Sequence, residues 1–283
     1  MAAATRLGYR TNWAAKALAS DHSRLIGLLL CGQHGTPTEI VRGLEQRLAE
    51  AGYVTLLGFA PDAARTAAAV ARLAERGSEA IVSVGDSAMA RETDSLSARS
   101  LPCIAIADAG EGARIAIGRE DGGALAVRYL LDLKHERFAV IERTPGATAR
   151  GVAQALEGSG LRFAESPALG DDPNALKRAI HGLLDLPYAP TGIVCGDDAI
   201  ALAVVRDCLL GGRQVPRDIS IVGFGDEPYA RCALPSLTTV RVPMLEAGIH
   251  AAEAVLAMLD GKPFEPYKPA VKLAIRETTG PPP

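Results

Sequence analysis

The hydrophobic positions of this chain alternate between two rhythms. Short apolar runs without helical period occupy residues 25–30, 53–57, 80–84 and 103–107. Such runs read as strands buried on both faces. Between them, residues 38–51 place Ile40, Val41, Leu44 and Leu48 on one helical face and stop at Gly52. A second helix is predicted over 62–76, closed by Gly77, and a third over 88–98. The alternation starts again after residue 120. Helices are predicted over 122–133, 147–157, 175–184 and 199–209, with strands at 138–141, 192–195 and 219–222. A helix at 244–259 and a strand at 270–275 close the chain. Strands separated by helices of this length imply parallel sheets covered on both faces, wound by right-handed crossovers. The expected fold class is α/β, with two doubly wound, Rossmann-like subdomains.

Composition narrows the function. The 283 residues suit two domains, and the formal net charge of −3 does not suggest a body wrapped in nucleic acid. Any DNA contact must be local. Cys31, Cys103, Cys195, Cys208 and Cys232 are scattered, with no CxxC pair. They point to a reduced, cytoplasmic protein without a metal centre. No apolar run approaches the ~18 residues of a membrane span, and the first twenty residues lack the apolar core of a secretory signal. No nucleophile elbow, phosphate loop or zinc-protease motif is present, and the five histidines have no ligand spacing. Neither an enzyme nor a cofactor is expected.

Candidate binding residues gather where predicted strands end, the place ligands occupy in open α/β sheets. Asp226 follows the strand at 219–222, which Gly223-Phe224-Gly225 is expected to end. Asp197 and Asp198 follow the strand at 192–195. Asp198 reads as the helix N-cap and Asp197 as the ligand-facing acid. Asp108 ends the strand at 103–107, where it would face a ligand or cap the turn. His34 lies in the loop after the first strand and is either a ligand contact or a solvated side chain. Arg119 precedes a helix start. It is either solvated or a guanidinium clamp for a carboxylate or phosphate. Near the N-terminus, Asn12 would cap a helix of less than two turns that needs a partner to order it; the bland alternative is a frayed terminus.

The stretch DISIVGFGDEPYA…PSLTTVRVP, beginning at Asp218, resembles the matching segment of the LacI/GalR family of bacterial transcription regulators. LGYRTNWAAKALAS, from Leu7 to Ser20, is similar to the family's junction between DNA-binding head and sensor, with Thr11 in place of the usual proline. The resemblance covers roughly residues 7–279. It implies periplasmic-binding-protein type I architecture with three crossings at the hinge, near 118–121, 238–242 and 262–268. The implied division is a head tail and hinge helix at 1–22, an N-terminal subdomain of 23–119 plus 241–262, and a C-terminal subdomain of 120–240 plus 263–283. It also implies a homodimer paired through helices 38–51, 62–76 and 86–98. Tyr9, Asn12, Ala15, Lys16 and Leu18 would form the DNA-binding hinge, with Leu18 wedged into the minor groove.

A small-molecule effector, a sugar or sugar-acid-like metabolite, would bind in the interdomain cleft and alter operator binding, most simply as a repressor. The family's effector arginine and strand-end aspartate fall here on Thr148 and Gly225, so Arg150 and Asp226 are the expected substitutes. The helix-turn-helix head would lie upstream of Leu7, where six residues stand. The competing expectation is a headless cytosolic solute-binding module without a DNA role.

Overall fold

The structure, a computed structural model, describes residues 22–32, 38–85, 101–108, 113–143, 146–169 and 174–283. The hinge residues Tyr9, Asn12, Ala15, Lys16 and Leu18, the loop residue His34 and the helix expected at 88–98 lie outside them. The elements in chain order are β1 (Leu25–Cys31), α1 (Thr38–Glu50), β2 (Val54–Ala60), α2 (Ala63–Glu75), β3 (Ala80–Val84), β4 (Cys103–Ile106) and β5 (Arg114–Ile115). There follow α3 (Arg119–Asp132), β6 (Phe138–Ile141), α4 (Ala147–Leu156), β7 (Phe163–Glu165), α5 (Ala175–Leu184), β8 (Gly192–Cys195) and α6 (Asp198–Leu210). Last come β9 (Ser220–Gly225), α7 (Pro228–Cys232), β10 (Thr238–Arg241), α8 (Met244–Leu259) and β11 (Lys272–Ala274).

The chain forms two units. One takes residues up to Ala116 together with Met244–Tyr267; the other takes Ile117–Pro243 with Lys268–Pro283. The first unit holds a five-stranded sheet in the order β2-β1-β3-β4-β5, parallel throughout. The second holds a six-stranded sheet in the order β11-β10-β9-β8-β6-β7, in which only β11 runs antiparallel. The central strands AIVSV, CIAI, FAVI and GIVC are buried at every position. That is why they read as unbroken apolar runs rather than alternating ones.

Each unit closes with a pair of helices that touch through glycine. In the first, a Cβ on Gly43 would run into the carbonyl oxygen of Leu245, and one on Gly248 into that of Ile40. In the second, Gly123 meets the Thr148 carbonyl and Gly151 meets that of Glu120. Backbone-to-backbone approach brings α8 onto α1 and α4 onto α3 and seats the start of α4 beside the sheet edge.

Two boundaries differ from the sequence reading. β9 does not stop at Val222 but continues through Gly225. At Gly223 the space a side chain would need is filled by the Asp198 carboxylate and Leu237, so this glycine is a packing requirement inside the strand. α3 starts three residues earlier than expected, at Arg119, behind Gly118 in left-handed geometry (φ 78°).

Candidate functional site

In the second unit the chain leaves β6 to build β7 on one side, then returns to build β8 on the other. Strand order therefore reverses between β6 and β8, and the carboxyl ends of such a pair frame a crevice. The residues that follow are Glu142 and Arg143 after β6, Gly196 and Asp197 after β8, and Asp226 and Glu227 after β9.

The helix cap expected at Asp198 falls one residue earlier, on Asp197. Asp197 holds extended backbone and is the N-cap of α6, its Oδ1 accepting from the Ile200 amide at 2.7 Å. Its other oxygen accepts from Arg143 Nε at 3.0 Å. Asp198, expected as the cap, sits inside the first turn with no exposed surface. Its carboxylate accepts from Thr239 Oγ1 at 2.5 Å and from the Glu227 amide at 2.7 Å. The helix begins one residue earlier than the sequence suggested, and that phase turns Asp198 inward. Burial pushes its carboxyl up to about 6, against the lowering effect of those two hydrogen bonds.

Glu142 is buried and fills the amino end of α4, accepting from the amides of Gly146 (2.7 Å), Thr148 and Ala149 (both 3.3 Å). The chain thus supplies its own anion to the positive end of that helix. Next to it, Arg143 pairs with Asp197 across the β6–β8 switch, both about one-third exposed. Arg119 donates to the Gly196 carbonyl, and its guanidinium lies 5.0 Å from the centre of the Phe224 ring. Tyr229 completes this edge. Burial, then the charges of Glu227, Asp198 and Asp197, push its hydroxyl up to about 12.

Asp226 is the hub of a third group. It takes left-handed backbone (φ 55°), which aspartate tolerates better than most residues. Arg276 binds its Oδ1; Arg241 (2.6 Å) and Arg231 (3.3 Å) bind its Oδ2. Burial alone would raise this carboxyl, but the bonds and charge of Arg276 and Arg241 outweigh it and hold it below the usual range. Both oxygens are engaged within the protein.

The structure therefore gathers Arg119, Asp197 and Asp226 along one sheet edge. Arg150 lies on α4 with Glu120 Oε2 at 3.1 Å from its Nε. Asp108 stands past β4 in the first unit, partly buried. Sequence reasoning passed over Glu142, Arg143 and Tyr229. The strand-end rule that selected Asp197 and Asp226 also applies to the two residues after FAVI. The thiol of Cys195, at the end of β8, is fully buried and raised well above its ordinary value, which leaves it inert at neutral pH. Among the described residues no three His, Cys, Asp or Glu side chains group as a metal would need. No described helix is long and apolar enough to cross a membrane.

Comparison with known proteins agrees with this architecture. A family model for the periplasmic binding protein-like domain matches residues 127–279. The HTH-type transcriptional repressor PurR of Escherichia coli O139:H28 is 27% identical over 285 aligned residues, spanning 94% of this chain and 82% of its own length. The crystal structure of the Lac repressor bound to ONPG in the repressed state superposes with a TM-score of 0.82 at 22% identity, covering 98% of this chain and 88% of its own. A LacI family regulator from Enterococcus faecium, solved with bound ribose, gives 0.78 at 24% identity, covering 91% and 99%.

Proposed function

We propose a function from one premise: this chain belongs to the periplasmic binding protein-like family, as the effector-binding core of a LacI/GalR-type transcriptional regulator. It binds a small polar metabolite, of the sugar or sugar-acid kind, along the carboxyl edge of the second unit's sheet. The observation that carries this is the charged edge at the β6–β8 switch. There Arg143 and Asp197 pair at 3.0 Å and Arg119 lies over Phe224 beside the Gly196 carbonyl. Partly exposed donors and acceptors suit hydroxyl and carboxylate recognition. The ribose held by the Enterococcus faecium regulator supports the same ligand class.

In this reading Asp197 and Arg119 contact the effector, and Asp226 holds its three arginines in register beside it. Arg150, Asp108 and His34 are further contacts by resemblance. Effector binding favours one arrangement of the two units over another, and it does so only by the difference in its affinity for the two. The hinge residues Tyr9 to Leu18 pass that bias to operator DNA in a homodimer paired through the first unit. The protein acts in the cytoplasm as a repressor.

A thermal-shift screen of sugars, sugar acids, sugar phosphates and purines tests the binding step, because a ligand of the native state raises the melting temperature by mass action. The expected result is a hit that Asp197→Ala and Arg119→Ala each abolish. No hit, or one that survives both substitutions, would sink the site. A hit that leaves operator affinity unchanged would favour the solute-binding module instead.

A further inference from the structure

The arrangement around Asp226 carries more charge than it neutralises. Three guanidiniums converge on one carboxylate, which leaves two positive charges. The three are not equivalent. Arg276 is 15% exposed and spends a second bond on the Leu237 carbonyl at 2.6 Å, so it belongs to the scaffold. Arg231 and Arg241 are 61% and 53% exposed, and both reach the same oxygen, Oδ2. Two like charges are thus held side by side at the surface by one buried counter-charge. Arg241 uses only Nε on Asp226; among the described residues its two Nη groups have no hydrogen-bond partner. Arg231 likewise contributes a single Nη to a bond of 3.3 Å. The free edges of both forks remain available to an incoming ligand.

The neighbouring acids are occupied elsewhere. Glu277 binds the amide and hydroxyl of Ser236 (2.8 and 2.9 Å). Asp198 binds Thr239 and the Glu227 amide. The exposed Glu227 side chain makes no ion pair with Arg231, Arg241 or Arg276, each of which pairs with Asp226.

We infer that Arg231 and Arg241 form a binding site for a phosphoryl group, with Asp226 as the buried residue that positions them. A phosphate monoester carries roughly −1.5 to −2 at neutral pH, which matches the surplus of two. Its tetrahedral oxygens accept from two guanidinium forks at once, which favours it over a singly charged carboxylate. The site is distinct from the Arg143–Asp197 pair at the β6–β8 switch. It stands or falls independently of the regulator reading, since its probe is an inorganic ion and its readout involves no DNA.

The test is isothermal titration of the whole chain with inorganic phosphate at pH 7.5, against acetate at matched ionic strength so that general screening cancels. The expected result is phosphate affinity at least tenfold above acetate. Arg231→Ala and Arg241→Ala should each lower it tenfold or more, with circular dichroism confirming that both fold. Arg241→Lys keeps the charge but not the fork and should fall between. Glucose 6-phosphate and glucose separate the two sources of the group. A sugar phosphate that binds more tightly than the bare ion, with glucose silent, assigns the site to a phosphorylated metabolite. Equal affinities assign it to free phosphate. Phosphate no tighter than acetate, or affinity retained in the Arg231→Ala/Arg241→Ala double variant, overturns the inference.

Discussion

The buried Asp198 makes a quantitative prediction. Its carboxyl has no exposed surface and titrates near 6 in the folded protein, against 3.8 when unperturbed. A group whose folded pKa is raised binds protons more tightly in the native state. Its stabilising contribution is therefore present below about 4 and is lost as pH rises through 6. Each pH unit between those limits is worth about 1.4 kcal/mol. Lowering pH from 7.5 to 5 should thus stabilise the wild type by about 1.4 kcal/mol through this one group.

Asp198→Asn removes the titration, while ionisable groups remote from it are common to both proteins and cancel in the difference. The asparagine loses one acceptor, for Thr239 or for the Glu227 amide, and that penalty is carried at both pH values. Native-state amide hydrogen exchange in β8 and β9, corrected for intrinsic rates, reports the opening free energy of this unit. The variant's stability relative to wild type should be more favourable at pH 7.5 than at pH 5 by about 1.4 kcal/mol. A difference unchanged between the two pH values would refute the argument that the carboxylate is ionised against its burial.

Two further predictions concern the same unit. Gly151→Ala drives a Cβ into the Glu120 carbonyl and should cost about 1–3 kcal/mol. Gly182→Ala, on α5 with nothing within 4 Å, should be neutral or stabilise by up to about 1 kcal/mol. Paired chemical melts compare them, and equal effects would argue against the close α3–α4 approach. His135 is buried between Thr191 (3.0 Å), Ser220 (3.1 Å) and the Gly280 carbonyl (2.9 Å), and burial lowers its pKa despite the bond to Gly280. Its contribution is present above the unfolded value near 6.5 and is lost as pH falls below it, opposite in sign to Asp198. His135→Gln should therefore flatten the acid limb of the stability profile; an unchanged limb would exclude the histidine as its cause.

The alternation of strands and helices was legible because buried parallel strands leave an unmistakable trace. FAVI and GIVC occupy the residues their apolar runs predict, 138–141 and 192–195, and α1, α5 and α8 follow their periodic faces to within a residue. The strands β5 and β7 and the helix α7 escaped, since each is short and carries a charged residue, so it leaves neither a period nor an unbroken apolar run. Glycine misled at β9: locally it signals a stop, but here the Asp198 carboxylate and Leu237 claim the space. The site divides in the same way. That Asp197 and Asp226 stand at strand ends follows from position along the chain alone. That Asp197 caps a helix, that Asp198 is buried, and that Asp226 is held by three arginines depends on where α6 begins and on which strands lie side by side. A one-residue change of phase exchanges an exposed acid for a buried one. Arg231, Arg241 and Arg276 come from α7, the end of β10 and the segment after β11, and they meet only because the sheet sets β11, β10 and β9 edge to edge. Local sequence determines which residues reach the edge of the sheet, and tertiary packing decides which of them are left free to bind.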